Sequence, residues 1–246
     1  MKAIVVFYDT LNRRYLPCYN GQAATITPNF NRLSNLSVTF DNSYVGSMPC
    51  IPARREFHSG RYNFLHREWG PLEPYDDSMP ETLSRNGIYT HLATDHSHYW
   101  EDGGCTYHGR YSSWEGFRGQ EGDRWVPQGE ADMSLNTCSL NKKNISAVQH
   151  LANRTRIVEE EDMPSVQTVS AGIDFIDHYH DKDSWFLQIE CFDPHEPFYV
   201  PDRFRKLYDC CDSKDAFNFP AYTPVDDKYT PEEIAALRKE YCALLS

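Results

Sequence analysis

The sequence predicts an α/β protein with a mostly parallel sheet, and three observations carry the prediction. Strand-like runs alternate with helix-like segments along the chain, the order that builds parallel sheets through crossovers. The run at 3–8 is apolar with no polar alternation, as a strand covered on both faces is, and further strand-like runs stand at 88–94 and 185–190. Each is followed by polar residues: Asp9, then Asp95 through His98, then Asp193 through His195. In parallel sheets ligands gather beyond the strand C-termini. These three groups are therefore expected on one edge of the sheet, where a site explains them better than a core does.

The elements follow in order. Ala3-Ile4-Val5-Val6-Phe7-Tyr8 reads as a buried strand running into Asp9. Thr27-Pro28 opens a helix to about Leu36, with Thr27 as N-cap and Pro28 in the first turn. Val38 through Val45 alternates like a strand. Pro52 sits where a helix can begin, so Cys50 falls at or just before a helix N-terminus. Ser78 with Glu81 forms a capping-box pair, Pro80 lies in the first turn, and Gly87 closes the helix. Ile88 to Thr94 is the next strand. From about Asp95 to Gln149 the chain is polar and rich in Gly and Trp, without a clean period; it is long for a loop and a candidate lining of a site. Val166, Val169, Ile173, Ile176 and Tyr179 share one helix face. Trp185 to Glu190 is a further strand. Thr230-Pro231-Glu232-Glu233 starts a last helix.

Composition narrows the function. With 246 residues, 40% of them hydrophobic, the chain can bury a sizeable core. No apolar run reaches the roughly 18 residues needed to span a membrane. Met1-Lys2 is followed by a short β-branched run without a small-residue cleavage site, so a cytoplasmic protein with no membrane partner is expected. Asn35, Asn144 and Asn153 open glycosylation patterns, which chance explains better without a secretion signal. The net charge of −12 disfavours nucleic acid as a partner. Residues 1–70 nevertheless hold eight Lys/Arg against four Asp/Glu, a net +4 that leaves −16 for the rest. A basic stretch in an acidic protein suits a small anion, while the remainder repels a long polyanion. Eight cysteines are scattered, Cys210 and Cys211 are adjacent, and no C-x-x-C pair occurs, so free thiols are expected.

The most specific pattern is Cys50-Ile51-Pro52-Ala53-Arg54, a C-x-P-x-R run downstream of the strand that ends in Asp9. It resembles the sulfatases, in which this cysteine is oxidised to formylglycine and becomes the nucleophile. The resemblance extends to Thr27 through Leu33, Val38-Thr39-Phe40, Asn42-Ser43-Tyr44-Val45 and Phe57-His58-Ser59-Gly60-Arg61. Pro194-His195-Glu196-Pro197 is similar to the family's P-H-x-P loop. His96 and His98 fall where many members have a K-x-H run. About residues 3–100 and 184–200 are covered, in order.

The resemblance implies an alkaline-phosphatase-like sandwich and a catalytic set of Cys50, Arg54 and His195. It implies substrate contacts from His96, His98 and His195, and Ca²⁺ or another divalent metal held by Asp9 and residue 50, with Thr10 as a further candidate ligand. The partners it implies are a small or short sulfated substrate and a formylglycine-maturating enzyme. The chemistry suits these types. A divalent cation activates a hydroxyl nucleophile, a helix N-terminus favours an anion, an arginine stays charged, and a histidine transfers protons near neutrality.

Plainer readings compete. Asp9 after a strand can cap a helix, Arg54 can be a surface arginine, and His195 can bond its own loop. His96 and His98, beside Asp95, Glu101 and Asp102, can be structural hydrogen-bonders. The aromatic run Tyr99, Trp100, Tyr107, Tyr111, Trp114 and Phe117 can pack an insertion or stack on a substrate. Asp226, Asp227, Glu232 and Glu233 suit a solvated face.

The chain also departs from the family. Thr10 stands where many members have a second aspartate; relatives with only one aspartate include phosphonate monoester hydrolases, so Thr10 widens the possible substrates. Ile51, His58 and Ser59 are less usual. Nothing here fits the later strand that completes the family's metal site. Residues 1–246 are accordingly expected to be the N-terminal part of a catalytic domain, with half of the metal site and no activity alone. Three functions stay open: sulfuric ester hydrolase, phosphonate or phosphate diester hydrolase, and non-catalytic anion- or metal-binding protein.

Overall fold

The computed structural model describes residues 1–134, 145–212, 216, 218–222, 224 and 228–246. They form two compact units: Met1–Asp9 with Ser43–Arg118 and Glu161–Phe192, and Thr10–Asn42 with Gly119–Glu160 and Asp193–Ser246.

The first unit is built on a parallel sheet. Strands β1 (Lys2–Tyr8), β2 (Tyr89–Thr94), β3 (Ser113–Gly116) and β4 (Trp185–Cys191) stand in the order β1-β4-β2-β3. β4 pairs with β1 from Lys2↔Trp185 to Tyr8↔Cys191, and with β2 from Tyr89↔Trp185 to Thr94↔Glu190. Every residue of β4 is buried, as a run with two paired edges and two covered faces demands. Its side chains alternate. Trp185, Leu187, Ile189 and Cys191 join Phe175 in one apolar cluster. Phe186 joins Ile51, Leu72, Leu92, Tyr99, Tyr107 and Tyr111 in another. Gln188 and Glu190 share the face of Phe186, and both are buried polar residues.

Helix α2 (Cys50–Ser59) and α3 (Met79–Arg85) supply Ile51, Phe57, Met79 and Leu83 to the second of these clusters. Proline fits the first turn of α2, where an N–H would find no helical acceptor. Gly60 ends that helix in the left-handed region at φ 67°, its N–H bonding the Glu56 carbonyl. Helix α5 (Pro164–Tyr179) covers the other face. It lies close because Gly172 has no Cβ; a Cβ there would stand 2.4 Å from Ile189 Cδ1.

The second unit contains α1 (Pro28–Leu36), α4 (Ile145–Asn153), the short α6 (Asp202–Arg205) and α7 (Pro231–Leu245). Its core joins Leu16, Phe198, Tyr241 and Leu245. The Arg205 guanidinium donates to both Glu240 carboxylate oxygens at 2.9 and 2.7 Å, an ion pair buried at both ends. Helix α7 starts after Thr230 as expected, and Thr230 and Glu233 close it with a capping box.

Several expectations are corrected. β1 is not covered on both faces: it lies at the end of the sheet order, and Ile4 and Val6 are 47% and 48% exposed. Val38 through Val45 is not a strand. Alternation alone does not make one, because a strand needs a ladder partner. None pairs with this segment among the described residues, and Val38, Phe40, Tyr44 and Val45 are exposed. Thr27 precedes α1 but makes no side-chain capping bond. Ser78 likewise does not cap α3, because His58 Nδ1 engages its hydroxyl at 3.0 Å. The buried stripe of α5 runs through Thr168, Ala171, Gly172 and Phe175, not through Ile173, which is exposed. The stretch from Asp95 holds β3, whose pairing with β2 no periodicity announced. Asn144, Asp226 and Asp227 lie outside the described residues. The described cysteines are free thiols, as expected. Among the described residues no helix is long and apolar enough to cross a membrane.

Candidate active site around Cys50

Cys50 is the first residue of α2 and is half-buried. The helix directs Arg54, one turn on, back towards it: Arg54 Nη1 lies 3.3 Å from the Cys50 carbonyl oxygen. β1 delivers Asp9 at its C-terminal end, where the Asp9 N–H bonds the Cys191 carbonyl and extends the ladder by one rung. An Asp9 carboxylate oxygen and Cys50 Sγ lie within 4.8 Å of each other. The Arg54 Nη1 to Asp9 Oδ2 distance is 2.8 Å, with the two side chains only 4% and 7% exposed. Thus Asp9, Cys50 and Arg54, singled out in the sequence, stand together within the first unit.

A further carboxylate joins them. Arg54 Nε donates to Glu190 Oε1 at 2.8 Å, and Glu190 is fully buried. The second Glu190 oxygen accepts from the Tyr99 hydroxyl at 2.9 Å and from Gln188 Nε2 at 2.7 Å. Tyr111 in turn donates to Gln188 Oε1 at 2.6 Å. The guanidinium also stands over the Phe7 ring, 4.8 Å from its centroid. Arg54 Nη2 is buried, with no hydrogen-bond acceptor among the described residues.

The electrostatics follow from burial and these pairs. Burial opposes charge on Arg54, but Glu190 and Asp9 outweigh it and hold the guanidinium firmly protonated. Burial, then the Asp9 charge, pushes the Cys50 thiol up to about 12, so at neutral pH the sulfur is a protonated thiol and a weak nucleophile. Burial and the Glu190 charge raise Tyr99 well above its ordinary value, which keeps its hydroxyl a donor.

The remaining candidates follow β2 or belong to the second unit. His96 and His98 follow β2, at the same end of the parallel sheet as Asp9. The buried His96 ring packs against Phe192 and Tyr99, with centroids at 5.3 and 5.0 Å. His98 Nδ1 lies 2.7 Å from Glu101 Oε2, the structural bond that the neighbouring acids suggested, and Trp69 packs edge-on at 4.9 Å. Asp95 accepts the Phe192 N–H at 2.6 Å and ties two strand ends together. Thr10 and His195 belong to the second unit. Thr10 is exposed, with φ 55°, and its carbonyl accepts the Tyr241 hydroxyl at 3.0 Å. His195 is 9% exposed and donates from Nδ1 to the Glu196 carbonyl at 2.7 Å. Because a carbonyl only accepts, that bond places a proton on Nδ1.

The sequence reading named Glu190 only as the end of a strand. The signal for it was Gln188 and Glu190 two apart in an otherwise apolar run: in a strand covered on both faces, such residues need a buried partner.

Parallel strands ending in polar residues beside a helix N-terminus make this an α/β protein with a parallel sheet flanked by helices. The structure aligns with a phosphonate monoester hydrolase of Agrobacterium radiobacter at a TM-score of 0.66 and 18% identity, over 99% of this chain and 56% of that one. The Sulfatase family model matches residues 2–245, and the chain belongs to that family. It is 24% identical to a choline-sulfatase of Rhizobium meliloti (strain 1021) and 25% identical to the iduronate 2-sulfatase of Homo sapiens, over 85% of this chain in each case. Those alignments cover 41% and 38% of the relatives, so the chain spans about two fifths of their length.

Proposed function

We propose that the protein hydrolyses sulfate esters at Cys50, with Arg54 as the anion-holding cation. The observation that carries the reading is the juxtaposition at the start of α2. There Cys50, the Asp9 carboxylate and a buried arginine with one unpartnered nitrogen meet beside first-turn backbone N–H groups. Such a place favours an anionic group through both the helix dipole and the guanidinium.

The buried thiol is the wrong nucleophile as it stands, which supports its conversion to formylglycine by a separate maturating enzyme. The hydrated aldehyde would supply a hydroxyl at position 50. The donor set fits a hard divalent cation such as Ca²⁺ in chemistry: Asp9 offers carboxylate oxygen, and position 50 offers oxygen once the sulfur is replaced. Asp9 and residue 50 would hold the ion, with the Thr10 hydroxyl a further candidate, and the ion would lower the pKa of that hydroxyl.

The other roles belong to this chain's own residues. Arg54 neutralises sulfuryl oxygen charge and cannot lose its proton. His195 acts in its doubly protonated form: Nδ1–H stays on the Glu196 carbonyl while Nε2–H passes its proton to the leaving alcohol, and the ring also contacts substrate. His96 and His98 contact the substrate from the end of β2. The preferred substrate is a small or short sulfated molecule, which the basic first seventy residues attract and the acidic remainder does not oppose.

Hydrolysis of phosphonate or phosphate diesters is the second reading. The fold likeness to a phosphonate monoester hydrolase and the neutral Thr10 after Asp9 favour it. Comparing kcat/KM of the matured, full-length protein for an aryl sulfate and an aryl phosphonate monoester separates the two. The proposal expects the sulfate to be preferred; preference for the phosphonate installs the second reading, and turnover of neither leaves a binding protein.

A further inference from the structure

We propose that Glu190 is a positioning residue for Arg54: it grips Nε and so presents Nη2 to an oxygen of the bound anion. The inference rests on the reading of the Cys50 site as a sulfate ester hydrolase. Arg54 has five N–H hydrogens in a fixed plane. Nε is taken by Glu190 Oε1 at 2.8 Å, and Nη1 by Asp9 Oδ2 at 2.8 Å and by the Cys50 carbonyl at 3.3 Å. Nη2 is buried and has no acceptor among the described residues. A buried, unpartnered guanidinium nitrogen is costly unless a ligand completes it. Two anchors on different nitrogens fix the rotation of the plane, and hence where Nη2 lies. One anchor, Asp9, is also the candidate metal ligand, and a cation would draw on the same carboxylate. Glu190 is then the anchor that does not change.

Glu190 is itself held. Tyr99 and Gln188 both donate to Oε2, at 2.9 and 2.7 Å, so Oε1 is left to Arg54. Tyr111 holds Gln188 in turn at 2.6 Å. All four side chains come from the wall on the α2 side of the sheet and are buried. The chain of bonds therefore links the sheet interior to one nitrogen of the arginine. A carboxylate needed only to balance the Arg54 charge would not require this second layer of donors, because Asp9 already touches the guanidinium.

Glu190→Gln tests the proposal. It keeps the size of the side chain but sets an amide against three donors. In the matured, full-length protein we expect kcat for an aryl sulfate to fall by about tenfold to a hundredfold, the reach of one charge-assisted hydrogen bond, with KM changed far less. In an Arg54→Ala background the same substitution is expected to change kcat by less than about threefold, because residues that act through one another are not additive. An equal loss in both backgrounds overturns the positioning role, as does no loss in the wild-type background. A second readout needs no turnover. The Arg54 Nε–H resonance, assigned by its disappearance in Arg54→Lys, is expected to shift and to exchange faster with water in Glu190→Gln. An unmoved resonance overturns the proposal. Wild-type protein inactive on both aryl sulfate and aryl phosphonate sinks the proposed function instead, and the resonance then decides the clamp by itself.

Discussion

Arg54 and Arg55 are neighbours on one helix, both nearly inaccessible, and both are paired with carboxylates, yet they are paired in different ways. Arg55 closes its fork on one partner: Nη2 lies 2.7 and 2.6 Å from the two Asp76 oxygens, and Nε lies 3.1 Å from Oδ2. Its Nη1 donates to Asn63 Oδ1 at 3.2 Å, and Asn63 bonds the carbonyls of Arg67 and Glu68. Every nitrogen of Arg55 is used, and the product is a staple between α2 and the segment after it. Arg54 divides its nitrogens between Asp9 and Glu190 and keeps one without an acceptor beside Cys50. The difference teaches how to tell a structural arginine from a binding one. A closed bidentate fork is complete without a ligand, whereas a divided guanidinium is complete only with one.

The largest effect that can break this comparison is on turnover. Arg54→Lys should lower kcat/KM for an aryl sulfate by about a hundredfold to a thousandfold, as loss of one preorganised charge donor does. Arg55→Lys should leave it within about threefold, since the Arg55 guanidinium is spent on Asp76 and Asn63 and offers nothing to a bound anion. Equal losses in steady-state assays would erase the distinction. The next effect is on stability. Asp76→Asn removes one partner of a buried pair and should cost about 3 kcal/mol in urea unfolding. A change under about 0.5 kcal/mol would show that the staple holds nothing.

A smaller effect concerns His58, which faces the Ser78 hydroxyl at 3.0 Å and the Tyr111 hydroxyl at 3.5 Å on the inward side of α2. Burial, and then the Arg110 charge, lower its pKa from 6.5 to about 3. The unfolded chain binds this proton near pH 6.5 and the folded chain only near 3, so unfolding takes up a proton in that window. Stability therefore falls as pH drops from about 6.5 towards 3. His150 in the second unit behaves alike. A His58→Asn protein should lose part of the slope of Tm against pH in that range; an unchanged slope would refute the assignment. The smallest effect is on the leaving group. His195→Ala should slow esters of poor leaving groups more than activated aryl esters, as loss of a general acid does. Equal slowing across the series would remove the acid role.

The sequence made much of this legible, for physical reasons that differ by element. β1, β2 and β4 were visible because parallel strands are apolar runs. α2 was visible because prolines mark a first turn, and α7 because Thr230 and Glu233 cap it. Asp9, Cys50 and Arg54 were visible as a pattern along the chain. Glu190 was not, because its meaning lies in a partner 136 residues away. Ser78 misled because a local capping pattern lost to the His58 ring, a contact across 20 residues. Val38 to Val45 misled because alternation describes a face and says nothing of a ladder partner. Thr10 and His195 belong to the second unit, and their roles rest on the resemblance and on chemistry.

The account stands or falls on the chemical identity of residue 50. Its most direct test is the mass of the peptide containing Cys50 after expression with maturation machinery. Conversion of the thiol to the anhydrous aldehyde should lower that mass by about 18 Da. An unmodified cysteine in that peptide would contradict the central claim.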